Sequence, residues 1–453
     1  MIALSLRDTA ALLGAPLAGA DATFSGVSTD TRKLASGQLF FALRGPNFDA
    51  HDKLGDAASA GAVGAVVERR LADSPLPQIV VADTRAALGV LARGWREHFD
   101  IPVLAVTGSA GKTTVKEMLA AIMRTQGPVL ATRGNLNNDI GLPLTLFELG
   151  PEHRAAVLEM GANHVGDIAL LVGIARPEVG VITLCAPCHL EGFGSIEGVA
   201  RAKGEMFSGL PADGVAIVNN EDVQAPLWRQ LAGARRIVSF GAGGDFQADA
   251  IEAHADGAAF VLRAEGVATQ VRIPQRGQHN VRNALAAAAA ARAAGVSFAD
   301  IAAGLATAAQ VGGRLDFRAG REGVRLIDDS YNANPASLAA AIDVLAHEPA
   351  PRWLVFGDMR ELGPDAPRYH REVGERARAA GIERLFTLGE LARHAEAGFG
   401  GEAVHGADRD ALIALLREAI AASGATPPTI LIKGSRAMAL DQVANALAAG
   451  EAA

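Results

Sequence analysis

The chain has 453 residues, of which 49% are hydrophobic but only 5% aromatic, with 51 glycines and a formal net charge of −8. Such a length holds about three domains of ordinary size, and an Ala/Gly/Val/Leu-rich composition points to an α/β protein. The negative balance and the lack of a Lys/Arg-rich run argue against a nucleic-acid surface, so anionic ligands have to be held by local sites.

In chain order, Arg7 and Asp8 interrupt the first apolar stretch, so no secretory leader is expected. Residues 1–98 hold "FSGVSTDTRKLASGQLFFALRG", which reads as strand, turn and strand. A helix near 53–61 and the short strands "GAVVE" and "QIVVAD" follow. The helix "TRAALGVLARGWREHF" closes the section, its apolar positions recurring every three or four residues. Over 99–312 strands such as "VLAVTG", "AAVLEMG", "VGVITLC" and "GVAIVNN" alternate with helical stretches. Such alternation predicts a parallel sheet covered on both faces, with its site at the carboxyl edge. The run "NALAAAAAARAAG" is alanine-dominated and broken by Arg292, too short and too polar for a membrane span. The glycine-rich "GGRLDFRAGREG" reads as a boundary and hinge. Residues 313–453 then restart the alternation with "VRLIDDS", "RWLVFGD", "RLFTLG" and "TILIKGS", a second doubly wound unit.

The stretch "PVLAVTGSAGKTTVKEML", residues 102–119, carries the first chemistry. A branched apolar strand runs into the loop Thr107, Gly108, Ser109, Ala110 and Gly111, and a helix opens at Lys112. Glycines let backbone N–H groups turn inward at a helix N-terminus, which suits phosphate. Lys112 brings charge to the outer phosphates, and the Thr113 hydroxyl, followed by Thr114, suits Mg²⁺. Val106 stands where the usual G-x-x-x-x-G-K-[ST] has its first glycine, so the motif is the shorter T-G-x-x-G-K-T-T.

Four downstream features end strands or open helices with polar residues. Glu159 follows an apolar strand, where a carboxylate can reach a cation held by Thr113, or merely cap a solvated strand end. His189 follows the next strand, in "HLEGFGS". Lys203 lies among small residues in "GVARAKGEMF", where a solvated helix lysine is the ordinary expectation. In "RGQHNVRNALAA", His279, Asn280 and Asn283 stand at a helix start, where the Asn amides match an adenine edge or cap the helix. Cys185 and Cys188 form C-A-P-C, but the sequence after them is not that of a thiol oxidoreductase. They read as small buried residues closing a strand.

The set T-G-x-x-G-K-T-T, "LEMGANHVGDI", "HLEGFGS", "RAKGEMF", "HNVRNALAA" and "DDSYNANPAS" resembles the Mur ligase family over nearly the whole chain. The resemblance implies three domains. An N-terminal α/β domain over 1–98 would bind the UDP end of the substrate. A central parallel-sheet P-loop ATPase domain would span 99–312, and a C-terminal Rossmann-like ligase domain 313–453. It implies ATP and Mg²⁺ as cofactors, UDP-N-acetylmuramoyl-tripeptide and D-alanyl-D-alanine as substrates, no nucleic acid, no membrane insertion, a monomer and a cytoplasmic place. By the same resemblance Lys112 meets the outer phosphates, while Thr113, Glu159, His189 and a carbamylated Lys203 hold metal. His279, Asn280, Asn283, Arg314, Asp329, Tyr331 and Asn332 take the adenosine. Ser28, Thr31 and Arg32 would take the UDP, with Asp49 and His51 nearby. Asn135, Asn137 and Asn138 would face the substrate across the cleft, and Ser435 and Arg436 would take the dipeptide carboxylate. Lys53 departs from the family's commoner aromatic residue after "HD".

Other readings are weaker. A sister ligase adding the third peptide residue should carry an Asn/Asp-Pro-Arg-type motif, which is absent, and a folylpolyglutamate synthase shares only the ATPase core. A GTPase switch would need N-K-x-D, also absent.

Overall fold

The computed structural model describes residues 1–449. The first section forms a five-stranded sheet in the order Leu17–Ala18, Gln78–Val80, Gly64–Val67, Leu39–Phe41, Val27–Ser28. Only its first pair is antiparallel. Alternate side chains of one strand serve two cores. Phe40 packs with Leu54 and Ala57, while Leu39 and Phe41 point into a cluster that continues into the central section.

The helix Thr84–Arg96 joins the two, capped by Asp83, whose carboxylate accepts the N–H groups of Arg85 and Ala86. Leu88 and Leu91 are fully buried. At its end Arg96 is also buried, and each of its guanidinium nitrogens is used. Nε donates to the Ala175 carbonyl (3.2 Å), Nη1 to Phe99 O (2.6 Å) and Nη2 to Glu178 Oε1 (2.9 Å). The other Glu178 oxygen accepts the Val103 N–H (2.6 Å), so this charge pair pins the start of the strand that carries the phosphate loop.

The central sheet is all parallel, in the order Val129–Ala131, Ala155–Glu159, Val103–Thr107, Val179–Ile182, Val215–Asn219, Arg236–Phe240. Its four inner strands are buried on both faces, which is why they read as unbroken apolar runs. Helices Lys112–Met123 and Gln278–Ala293 cover one face; Asp167–Ala175 and Ile196–Ser208 cover the other. The alanines at 284 and 286–291 are almost wholly buried, so the low-polarity run is a helix that packs closely inside the protein. Among the described residues no helix is long and apolar enough to cross a membrane.

One element departs from the expected alternation. Strands Gln247–His254, Gly257–Ala264 and Val267–Ile273 form a separate antiparallel sheet. Its second turn pairs Ala264 with Val267 around Glu265 (φ 51°) and Gly266 (φ 77°), a two-residue hairpin loop.

The third sheet has the order Asp316–Ala319, Arg325–Asp328, Thr429–Lys433, Arg352–Gly357, Arg384–Leu388, Glu402–Gly406, parallel except for the first pair. The strand Asp316–Ala319 lies inside the glycine-rich segment expected to be a hinge. A third of that segment is thus paired into the sheet, and residues 307–315 remain as a connection after the helix Phe298–Ala306.

Arg96→Ala removes the donors of three backbone carbonyls and of the Glu178 carboxylate. We expect a loss of about 2–4 kcal/mol in urea unfolding followed by Trp95 fluorescence. An unchanged midpoint would show that the start of the strand Val103–Thr107 does not depend on this charge.

Candidate active site

The register of the central sheet sets the site. Val106 pairs with Glu159 on one side and Val181 on the other, so the phosphate loop, Glu159 and the segment after Ile182 emerge at one edge. The loop is held from that segment: Ser109 N–H donates to Leu184 O (2.9 Å), and Thr183 Oγ1 donates to Ala110 O (2.6 Å). Gly108 has φ 144°, and a Cβ there would lie 1.9 Å from Thr183 Oγ1, so no other residue fits. Cys188 is buried with its Sγ 3.2 Å from Ser109 Oγ, and burial together with Asp222 pushes the Cys185 thiol up to about 12. Both cysteines lie in the segment beyond the strand Val179–Ile182; Cys188 supports the loop, whereas Cys185 Sγ faces Ile196 O at 3.6 Å.

At the helix start Thr113 Oγ1 donates to Glu159 Oε2 (2.7 Å), and Asn137 Nδ2 donates to Oε1 (2.8 Å). Glu159 is almost fully buried yet has no cationic partner within bonding distance. This carboxylate–hydroxyl pair beside a phosphate loop is a hard oxygen set that fits a Mg²⁺ ion. Lys112 folds back, its Nζ donating to Gly108 O (2.8 Å), and burial lowers its pKa against the pull of Glu159. Lys203 is also buried. Its Nζ has one acceptor, Ala162 O at 3.4 Å, and lies 5.3 Å from the Phe193 ring centre. Burial, and then the Lys112 charge, bring its pKa down to about 8. The solvated-lysine reading does not hold. His189, half-buried, stands edge-on to Phe193 with ring centres 6.4 Å apart and bonds through Nδ1 to Glu361 of the third section.

A cavity of about 380 Å³ opens beside the loop. Ser109, Ala110, Gly111, Lys112 and Thr114 line it from the loop, His279, Asn280 and Asn283 from the helix start, and Arg314, Asp329, Tyr331 and Asn332 from the third section. Thr107, Gly108 and Thr113 lie outside its wall. The asparagines are not caps, since Gly277 holds the N-cap position. Instead Asn283 Nδ2 donates to Asn280 Oδ1 (2.9 Å), and Asn280 Nδ2 to Arg276 O (2.8 Å). Arg314 lies over the Tyr331 ring at 4.4 Å with a buried Nε that has no partner, a donor suited to an anionic ligand. Asp329 and the buried Lys433 pair at 2.6 Å, and Lys433 Nζ also donates to Asn332 O (2.8 Å).

Comparison with known proteins agrees with this geometry. The Mur ligase middle domain matches residues 106–291, and the Mur ligase, glutamate ligase domain, matches 313–436. The chain belongs to the Mur ligase family. It is 47% identical over 450 residues to the UDP-N-acetylmuramoyl-tripeptide--D-alanyl-D-alanine ligase of Escherichia coli (strain K12), covering 99% of each chain. The Haemophilus influenzae ligase of the same name is 41% identical, again over 99% of each. A crystal structure of MurF from Acinetobacter baumannii superposes with a TM-score of 0.94 at 36% identity over 98% of both chains. MurF from Thermotoga maritima in complex with ADP gives 0.81 at 27%, over 93% of this chain and 96% of that one.

In this Mur ligase the remaining expected site residues scatter. Ser28 is buried, its hydroxyl bonded to Asp30 O (3.0 Å), with Thr31 next along the turn. Arg32 is exposed and bound to Asp30 at 2.8 Å. His51 is buried with both ring nitrogens occupied: Nδ1 by Asp49 (2.5 Å) and Nε2 by the Glu68 N–H (2.8 Å). Asp49 also takes Arg69 (2.9 Å), so this pair braces its own domain. The three asparagines do not share one role in the structure. Asn137 reaches Glu159, Asn138 Oδ1 accepts the Gly141 N–H (2.8 Å), and Asn135 is exposed. Ser435 Oγ accepts the Arg360 N–H (2.9 Å), while Arg436 is exposed beside Asp441. Sequence reasoning missed Lys433, Thr183 and Asn334. The last caps helix Pro335–Ala346 through Oδ1 and donates Nδ2 to Ser109 O (2.9 Å), gripping the phosphate loop from the third section. Its N-P-x-S context was a readable capping signal; the reach to the loop was not.

Asn334→Asp keeps the cap and loses the donor, whereas Asn334→Ala loses both. Thermal unfolding should cost about 1 kcal/mol more in the alanine variant. Small-angle scattering should show both variants less compact than the parent; equal compactness would remove Asn334 from the domain contact. His279 supplies a pH test, because burial, Arg282 and Lys433 hold it down at about 4. With an unfolded pKa near ~6.5, its contribution is complete above that value and is lost as pH falls towards 4, up to about 3 kcal/mol. His279→Gln should flatten the stability profile between those limits; an unchanged slope would refute the buried neutral state.

Proposed function

We propose that this Mur ligase joins D-alanyl-D-alanine to UDP-N-acetylmuramoyl-tripeptide, with ATP converting the terminal peptide carboxylate to an acyl phosphate. The carboxylate oxygen attacks the γ-phosphorus and ADP leaves. The dipeptide amine then attacks the acyl carbon, phosphate departs and the amine gives up its proton. A carboxylate is a poor electrophile, and phosphorylation supplies the leaving group. Two anions must meet, so the site needs fixed positive charge. Lys112 would face the outer phosphates, and Thr113 with Glu159 would hold Mg²⁺, which neutralises phosphate charge when bound. Asp329, Arg314 and the asparagines at 280 and 283 would hold the adenosine. Residues 1–98, 99–312 and 313–453 would serve as the UDP, ATP and dipeptide domains, in a cytoplasmic monomer.

The observation that carries this reading is Glu159 bonded to Thr113 beside Lys112, with the under-bonded Lys203 ammonium buried in the same site. Lys203 is proposed to carry a carbamate, formed by attack of its amine on CO₂ with loss of a proton. That change replaces a cation short of acceptors with an anion able to meet a metal. The names of the full-length relatives support the dipeptide as acceptor. Folylpolyglutamate synthase from Mycobacterium tuberculosis shares the fold at 18% identity and carries no argument about substrate.

Phosphate release with UDP-tripeptide should require D-alanyl-D-alanine and fail with D-glutamate or diaminopimelate; equal turnover with a single amino acid would sink the assignment. Lys203→Ala should lower turnover by roughly 100- to 1,000-fold. Short-chain carboxylic acids should restore part of it. Near-normal turnover of that variant in carbonate-depleted buffer would exclude the carbamate.

A further inference from the structure

The loop after strand Arg352–Gly357 is fixed by several independent bonds. His370, fully buried, accepts the Met359 N–H at Nε2 (2.9 Å) and donates from Nδ1 to Ala366 O (2.7 Å). Ser435 Oγ accepts the Arg360 N–H (2.9 Å), Asp358 O accepts the Ser435 N–H (3.0 Å), and Asp358 Oδ1 accepts the Ala392 N–H (2.8 Å). The loop delivers Glu361 to the central section in a left-handed conformation, φ 63°. It meets His189, which is left-handed as well, φ 49°. Two non-glycine residues in that region cost about 1 kcal/mol or more each, so the surroundings must hold them there. The contact does so twice. Glu361 O accepts the Leu190 N–H (2.8 Å), and the Glu361 carboxylate bonds to His189 Nδ1.

We infer that Glu361 is a positioning residue for the reaction. Its carboxylate holds the proton of His189 on Nδ1 and so leaves Nε2 as the unprotonated nitrogen. A carboxylate on the far nitrogen is how proteins set the tautomer and orientation of a ligating imidazole. Here that partner comes from a different domain, so His189 is competent only when the third domain is docked on the central one. The same closure that completes the nucleotide cavity therefore also prepares the histidine. The inference rests on the proposed function only for its effect on turnover; the hold on the tautomer stands on geometry.

The test compares the parent with Glu361→Gln and Glu361→Asp, each with ¹⁵N-labelled histidine and a saturating non-hydrolysable ATP analogue. A His189→Gln sample assigns the signal. The parent should show His189 protonated on Nδ1 and bare on Nε2. Glu361→Gln should lose that preference and lower kcat by about 10- to 100-fold with KM for the dipeptide little changed. Glu361→Asp should recover part of both, and all three should remain folded at the assay temperature. A parent His189 protonated on Nε2, or a tautomer indifferent to Glu361→Gln, would overturn the inference. A lost tautomer with unchanged kcat would overturn the positioning role in catalysis. Loss of D-alanyl-D-alanine turnover in the parent itself would instead strike the proposed function.

Discussion

Parallel pairing in the central sheet is the constraint on which the rest depends. Parallel strands all end at the same edge, so the groups that follow them cannot avoid meeting. Because Val106 lies opposite Glu159, the carboxylate arrives beside the first turn of the helix after the phosphate loop, 2.7 Å from Thr113 Oγ1. The next strand in the sheet sends out Thr183, which fastens the loop, and then His189. A slip of one residue in this register would turn Glu159 to the opposite face and leave Thr113 without its partner.

Around that edge, charge is arranged so that the protein alone is not at rest. Lys203 and Lys433 are removed from water, Lys112 is partly so at the cavity wall, and desolvation lowers the pKa of each. Lys433 is compensated by Asp329, whereas Lys203 has a single long hydrogen bond. Arg314 keeps a buried nitrogen unpaired. Unsatisfied buried donors are costly, and those of Lys203 and Arg314 lie where a site for anions would recover the cost.

The third section closes the site through contacts that reach past its own sheet. Asn334 grips the Ser109 carbonyl, Glu361 binds His189, and Arg276 lies 3.7 Å from the Phe317 ring centre while bonding Glu348 at 3.0 Å. Arg276 also offers its carbonyl to Asn280, so this contact leads straight to the helix start that lines the cavity. The N-terminal section is tied differently, by a continuous apolar core and by Arg96 with Glu178. One attachment is chiefly apolar; the other is made of a few directional polar bonds. Relative motion is easier across the second kind.

The sequence by itself determined the local chemistry: apolar runs that must be buried strands, glycines at 108 and 111, the lysine and threonine after them, and the family those motifs belong to. It also named part of the cavity wall: the loop and helix-start residues from pattern, and Arg314, Asp329, Tyr331 and Asn332 from the family resemblance. It did not reveal the antiparallel sheet over 247–273 or the strand inside the supposed hinge. The strand Gln247–His254 is exposed along nearly its whole length and Asp316–Ala319 has only four residues, so neither shows the alternation that marks a half-buried strand. Nor could it separate His51 from His189, or Asn138 from Asn137, since their residue types are the same. Only tertiary structure decided that His51 is fully bonded within its own domain while His189 meets a carboxylate from another. The physical reason is that a side chain's role depends on partners far away in sequence: 172 residues separate His189 from Glu361 and 225 separate Ser109 from Asn334. Such pairings arise from the packing of whole sheets and leave no trace in the residues on either side.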